Sequence, residues 1–219
     1  MNDERLRQIR QNPLSEALRF QHAPTGALVL RLLMPDDVEL FGRYLEDLGQ
    51  ESRRRFGPHP HTMAEARKIC GEVAESETLR FLVLRDDSAE ALGYYILHPG
   101  VRPSEINRYS GYGIPLCGQT DCTFAPSIAD RHQGRGLGSV VMALMLDLVR
   151  DLGFTRMVLS GGAQATNARA IRYYTKFGFR VVGSFETNTE AYGRMDNHDM
   201  MMILSEASEG GAHDGEAHG

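Results

Sequence analysis

Ile128-Ala129-Asp130-Arg131-His132-Gln133-Gly134-Arg135-Gly136-Leu137-Gly138-Ser139 is the stretch on which the reading of this chain turns. Ahead of it, residues 121–129 read as a strand interrupted by Pro126. Behind it, Val141, Leu144, Met145, Leu148 and Val149 recur at helical spacing, and Gly153 supplies a stop. The order is therefore strand, glycine-dense loop, amphipathic helix. Glycine lets the backbone approach a ligand closely, and the unpaired N–H groups of a helix start point outward. That arrangement suits an anion, phosphate above all. Arg131 and Arg135 add positive charge beside it. Two phosphate-binding patterns are excluded. The P-loop needs Lys and then Ser or Thr after its last glycine, whereas Gly138 is followed by Ser139-Val140. The dinucleotide fingerprint needs GxGxxG after the first strand of its fold. Gly134-x-Gly136-x-Gly138 has another spacing and lies late in the chain.

Working outward, residues 27–33 form a short apolar run that predicts a first strand. Pro35-Asp36-Asp37 opens a helix carrying Val38, Phe41, Tyr44, Leu45 and Leu48 on one side. A second helix fits 62–73, with Thr62 as cap. Residues 79–85 and 91–98 read as paired strands around the turn Asp86-Asp87-Ser88. Residues 99–118 are a long connection rich in glycine and proline, of the kind that is often functional. Beyond the first helix of the loop motif come a strand at 155–159, a helix at 167–177 stopped by Gly178, and strands at 179–187 and 199–204. The pattern predicts a mixed α/β sheet with helices on its faces. Residues 1–24 are polar and weakly patterned, with a short helix around 14–20, and count as an N-terminal extension. The tail at 206–219 has no large apolar side chain and is expected to be disordered. The domain proper is expected to span 25–205.

Gln133-x-x-Gly136-x-Gly138 between a strand and a helix resembles the acetyl-CoA signature of the GNAT family of N-acetyltransferases. A second segment, Asn167-x-x-Ala170-Ile171-x-x-Tyr174-x-Lys176-Phe177-Gly178-Phe179, is similar to that family's next motif. The likeness is sharp over 120–188 and extends by pattern over 28–204. It implies a mostly antiparallel central sheet whose strands splay apart at the acyl-CoA site. It further implies that the backbone of 133–138, namely Gln133, Gly134, Arg135, Gly136, Leu137 and Gly138, with Ser139 at the helix start, holds the CoA pyrophosphate. The pantetheine arm would pair with the strand edge at Ile128 and Ala129, and Asn167 would touch that arm. Asn167 also reads simply as a helix N-cap.

By the same resemblance, Tyr174 is the candidate general acid. Attack of an amine on a thioester expels a thiolate, and a tyrosine hydroxyl beside the sulfur can protonate it. The plainer reading of Tyr174 is a core aromatic. Tyr173, turned away by roughly 100° of helix rotation, is expected to be structural. Asp121, near the start of the strand ahead of the loop, is the candidate base, though a shift of one residue would put it on the other face. Glu105 and a water relay are the alternatives. Direct transfer in a ternary complex is favoured over a covalent acyl-enzyme.

The acceptor is expected to meet 51–61, 99–118 or 187–197. The run Arg53-Arg54-Arg55 suits a phosphate or carboxylate, or else is a solvated helix end. The expected acceptor is a small-molecule amine, with a nucleotide-linked amino sugar among the candidates. A protein lysine or N-terminal amine and a CoA-binding module without turnover are the competing readings. Dimerisation is common in the fold that the likeness implies, and nothing in the sequence decides it.

Composition limits the rest. The 219 residues are 42% hydrophobic and 24% charged, with net charge −5, which argues against a general nucleic-acid binder. No apolar run reaches the roughly 18 residues of a membrane helix, and the start Met1-Asn2-Asp3-Glu4-Arg5 has no secretory pattern. Cys70, Cys117 and Cys122 form no CxxC pair and read as reduced cytoplasmic thiols. His59 and His61 lie in a proline-stiffened loop without further ligands, so no metal is expected.

Overall fold

The computed structural model describes residues 2–14 and 17–204; the expected disordered tail at 206–219 lies outside the described residues. The chain opens with α1 (Asp3–Gln11), capped by the Asn2 side chain, which accepts a hydrogen bond from the Arg5 N–H at 3.0 Å. Leu6 and Ile9 on its inner face are buried in the main core. The strands β1 (Leu18–His22) and β2 (Gly26–Leu32) then form a hairpin. The helix expected around 14–20 is therefore a strand from Leu18 onward. An edge strand with polar residues on its open face carries little local signal, and pairing with β2 decides its conformation.

A single 3-10 turn at Pro35–Asp37 leads into α2 (Val38–Glu46). The short α3 (Gln50–Arg55) follows, then α4 (Met63–Glu72), whose first turn is capped as expected by Thr62, accepting from the Glu65 N–H at 3.1 Å. The antiparallel pair β3 (Leu79–Arg85) and β4 (Ala91–Pro99) lies where the sequence predicts it. The long connection contains a helix, α5 (Pro103–Ser110). Pro103 starts it, and the Glu105 carboxylate accepts from the Arg102 N–H at 3.1 Å. Then come β5 (Asp121–Ile128), α6 (Leu137–Asp151), β6 (Arg156–Leu159), the two-residue β7 (Ala163–Gln164), α7 (Ala168–Lys176), β8 (Arg180–Thr189) and β9 (Gly193–Ile203).

The strands form one sheet in the order β1-β2-β3-β4-β5-β6-β9-β7, with β8 also paired to β9. Every pairing is antiparallel except β5 with β6. Alternate residues supply two cores. Tyr95, Cys122 and Phe124 face α1 and α6, while Tyr94, Ile96 and Ala125 face Phe41 and Leu45 of α2 and Ile69 of α4. The architecture is thus a mixed, mostly antiparallel sheet between helical layers. Among the described residues no helix is long and apolar enough to cross a membrane.

The sheet comes apart at one place. β5 and β6 pair only from Asp121 with Arg156 to Phe124 with Leu159. The last bond between them runs from the Ser160 N–H to the Phe124 carbonyl at 2.9 Å. Gly161 and Gly162, at φ +70° and +69°, then turn the chain away toward β7. From Ala125 to Ile128, β5 is bonded to β4 alone. Backbone groups along a strand alternate in direction. The Ala129 N–H donates to the Leu92 carbonyl in β4 (2.9 Å) and the Phe124 carbonyl serves the opposite side. Pro126 and Ile128 therefore face the open side, whereas Ala129, expected with Ile128 to pair with the pantetheine arm, is turned to β4. A proline is tolerated there because the missing N–H belongs to the side without a partner strand.

Candidate functional site

The glycine loop closes the open end of this wedge. Gly134 and Gly136 have φ of +74° and +87°, a region that favours glycine over L residues. The alternation turns successive amides to one side and forms a concave nest. None of the N–H groups of residues 134–138 has an acceptor among the described residues. The loop is held from behind. His22, buried, bonds the Arg135 carbonyl through Nε2 (2.9 Å) and Thr25 through Nδ1 (2.6 Å). The Gln133 side-chain amide donates to the Ile128 carbonyl (2.9 Å), to Asp130 Oδ1 (3.0 Å) and to Ser52 Oγ (3.1 Å). Gln133 thus sets the loop's conformation through its side chain. Arg131 contributes no free charge to the nest, because its guanidinium pairs with Glu90 at 2.9 Å. Burial pushes the Glu90 carboxyl up, but hydrogen bonds from Arg85, His132 and Arg131 bring it down to about 2.

Beneath the nest lies a cavity of about 510 Å³. Its walls are Ile128 and the loop on one side and α7 on the other, with Asn167, Tyr173 and Tyr174 all at its surface. Positive charge comes from α7, where Arg169, Arg172 and Lys176 line the same cavity. The Arg169 guanidinium stands 3.4 Å from where a Cβ on Gly134 would be, and donates to Gln133 Oε1 at 3.4 Å. Sequence reasoning missed these three cations. Their i, i+3, i+7 spacing on the motif helix was the available signal.

Asn167 caps α7, its side chain accepting from the Ala170 N–H at 3.2 Å. Tyr173 donates to the Gly138 carbonyl at 2.6 Å and ties α7 to the start of α6, a structural role. Tyr174 differs. It is half-buried against Phe179, its hydroxyl has no hydrogen-bond partner among the described residues, and burial raises its pKa. It also borders a second cavity, of about 350 Å³, on the far side of the wedge.

That second cavity joins the three segments expected to meet an acceptor. Residues 53–58 with α3, Arg102 from the long connection, and Thr187, Tyr192 and Asn197 from the β8–β9 hairpin all line it, with Pro126 and Gly161–Gly162 at its base. A third, more polar recess of about 290 Å³ adjoins it through Ala125 and Ser160. His59 and His98 stand on its wall, and burial lowers His59 to about 4. His59 and His61 pack within an aromatic cluster with Phe41, Phe56 and Tyr94.

Asp121 is not brought to this place. It sits at the opposite end of β5, fully buried, and pairs with Arg156 at 2.9 and 2.7 Å while accepting from the Cys117 N–H at 2.6 Å. It is the first residue of the eight-residue strand β5, whose other end leads to the loop. Glu105, also buried, is engaged at the start of α5. Neither carboxylate lines any of the three cavities described above.

The family model described as acetyltransferase (GNAT) family matches residues 45–179. The chain belongs to the GNAT family. Solved structures agree in fold. A ribosomal-protein-S5-alanine acetyltransferase from Vibrio fischeri superposes with TM-score 0.66 at 13% identity, over 87% of this chain and 97% of that one. An N-acetyltransferase from Staphylococcus aureus Mu50 gives 0.61 at 15%, over 81% and 99%. A spermidine N-acetyltransferase chimera from Vibrio cholerae and hSSAT gives 0.59 at 21%, over 81% and 95%. A search of curated proteins found no match. The match spans α3, the β5–β6 wedge, the glycine loop and α7, so the acetyltransferase family and the site's framework coincide on the same residues.

Proposed function

We propose that this acetyltransferase moves an acetyl group from acetyl-CoA to the primary amine of a small molecule, by direct attack in a ternary complex. The observation that carries the proposal is the place of Tyr174: a tyrosine hydroxyl, without a hydrogen-bond partner among the described residues, bordering both the cavity under the amide nest and the cavity beyond the wedge. The amides of 134–138 would hold the donor's pyrophosphate, with Arg169, Arg172 and Lys176 around its phosphates. The open edge of β5 supplies the Ile128 N–H and the Pro126 carbonyl for the amide-bearing arm, as an added strand would use them. Asn167, already the α7 cap, stands at the wall along that arm.

In the reaction the amine nitrogen bonds to the thioester carbonyl carbon, the carbon–sulfur bond breaks, and the sulfur keeps the electron pair. Tyr174 gives its proton to that sulfur, and the proton shed by the amine passes through water and restores the phenol. Burial raises the phenol's pKa, so the hydroxyl carries its proton throughout the neutral range. With Asp121 and Glu105 engaged elsewhere, no carboxylate of this chain is assigned as base, and water relays the amine proton.

The test is thiol release from acetyl-CoA against amines, amino sugars, nucleotide-linked amino sugars, polyamines and peptides, with Tyr174→Phe alongside. Release with one small-molecule class, reduced about 10²-fold or more in the variant, is the expected result. Release with peptides alone would transfer the reading to a protein amine. Undiminished release in the variant would remove Tyr174 as the acid.

A further inference from the structure

Resting on that reading, we propose that the acceptor amine also carries an acidic group, a carboxylate or a phosphate, which Arg54 and Arg102 receive in the cavity beyond the wedge. The chain as a whole is acidic, with 29 Asp and Glu against 24 Lys and Arg. This cavity reverses the balance: Arg53, Arg54, Arg55 and Arg102 line it and no Asp or Glu does. Arg54 and Arg102 have no carboxylate partner among the described residues, whereas Arg55 is paired with Glu51 at 3.0 Å. Arg53 donates to the main-chain carbonyls of Leu48 (2.6 Å) and Glu46, which hold its guanidinium without cancelling its charge.

The charges converge from two separate segments, the last turn of α3 and the residue that starts α5. The donor's phosphates do not account for them. The nest has its own cations on α7, and of the four arginines only Arg55 also borders the nest's cavity. A guanidinium binds carboxylate or phosphate through two parallel N–H bonds, which fixes orientation as well as charge. With Tyr174 on the wall of the same cavity, an acceptor whose amine lies at Tyr174 has its acidic end directed to the arginines. The charges of Arg53, Arg54 and Arg102 repel a polyamine.

Matched acceptor pairs test this: an α-amino acid against its amide, and an amino-sugar phosphate against the free amino sugar. The acidic member is expected to show about tenfold or higher kcat/KM, equivalent to about 1.4 kcal/mol. Arg54→Gln with Arg102→Gln should collapse that ratio, and Arg102→Lys, which keeps the charge but loses the two-pronged geometry, should retain only part of it. Both side chains are exposed, so an unchanged thermal midpoint verifies that the variants fold. The pair that responds tells carboxylate from phosphate. Equal kcat/KM for both members of each pair, or a ratio indifferent to the double substitution, overturns the proposal and leaves acyl transfer standing. Calorimetry with CoA-loaded protein separates the converse case. Acidic members that bind, lose binding in the double variant and are never acylated would keep anion recognition and remove acyl transfer.

Discussion

Replacing Asp121 by Asn should damage the fold and leave the chemistry alone. Asp121 is fully buried, and both its oxygens accept from the Arg156 guanidinium, at 2.9 and 2.7 Å. One of them also accepts the Cys117 N–H at 2.6 Å. Breaking a buried pair by removing one charge costs about 3–5 kcal/mol. Arg156 keeps a bond to the Pro115 carbonyl at 2.8 Å, and its side chain is 23% exposed, so the lower figure of about 3 kcal/mol applies. For a domain of this size that is roughly 6–12 °C in Tm. Differential scanning calorimetry reads the midpoint, and thiol release at low temperature, normalised to folded protein, reads the chemistry. The expected pair of results is a lowered midpoint with kcat/KM within about threefold of wild type, well inside the effect of losing a general base. An unchanged midpoint with turnover reduced about 10²-fold or more would refute the structural assignment and return Asp121 to the role of base.

Other perturbations address the site and its supports. Tyr174→Phe should lower kcat about 10²-fold or more while acetyl-CoA affinity, measured by calorimetry, holds; because burial raises the phenol's pKa, wild-type kcat should not decline between neutral pH and about 10, the ordinary phenol value. Gly136→Ala meets no atom nearer than His22 Nε2 at 3.7 Å, yet forces a side chain into φ +87°. It should cost about 1–2 kcal/mol of stability and weaken acetyl-CoA binding about tenfold, read by denaturation and calorimetry. Glu90, depressed to about 2 by its donors against burial, contributes stability that is present above its ordinary value of 4.5 and lost as pH falls toward 2. Glu90→Gln should abolish that acid-sensitive component in denaturant midpoints taken across the window. His59, lowered to about 4 by burial, binds fewer protons folded than unfolded, so its contribution is complete above pH 6.5 and shrinks as pH falls toward 4. His59→Phe should reduce the fall of stability between those two values, with His61 and His98, also lowered by burial, supplying the remainder.

What the sequence disclosed follows from how locally each feature is encoded. The loop and α7 were legible because each is encoded locally, the loop by the glycine spacing within 134–138 and α7 by the Asn167 cap and the apolar period within 167–179. The strands 79–85 and 91–98 were legible for the same reason, being a hairpin with its own turn. α5 was hidden because glycine and proline in 99–118 read as loop, although Pro103 and Glu105 mark its start. β1 was hidden because its conformation comes from β2 and not from its own side chains. The role of Asp121 was out of reach for a further reason: Arg156 lies 35 positions along the chain, and only the parallel pairing of β5 with β6 makes the two residues partners.

That pairing also explains why a site exists here at all. Parallel strands joined by a helix have no tight turn to fix their spacing, so their separation is set wherever specific bonds are made. At one end, Asp121 and Arg156 clamp β5 to β6, with the Thr155 N–H and Oγ1 both donating to the Thr120 carbonyl at 2.8 and 3.2 Å. At the other end β5 and β6 no longer pair. Pro126 has no N–H to give, and Gly161–Gly162 turn β6 aside, where a Cβ on Gly162 would lie 2.5 Å from the His198 carbonyl oxygen. The sheet is therefore closed by charge at its start and opened by proline and glycine five residues later. Tyr174 enters through the opening because Tyr173, bonded to Gly138, holds α7 against the helix that the nest begins. On this argument the clamp and the cleft are separable: loosening Asp121 lowers stability across the whole sheet, whereas filling Gly162 changes the wedge itself. Gly162→Ala should then lose acyl transfer out of proportion to its loss of stability, the inverse of Asp121→Asn. Equal ratios of activity to stability in the two variants would show that one rigid unit, and not a hinge and an opening, carries the site.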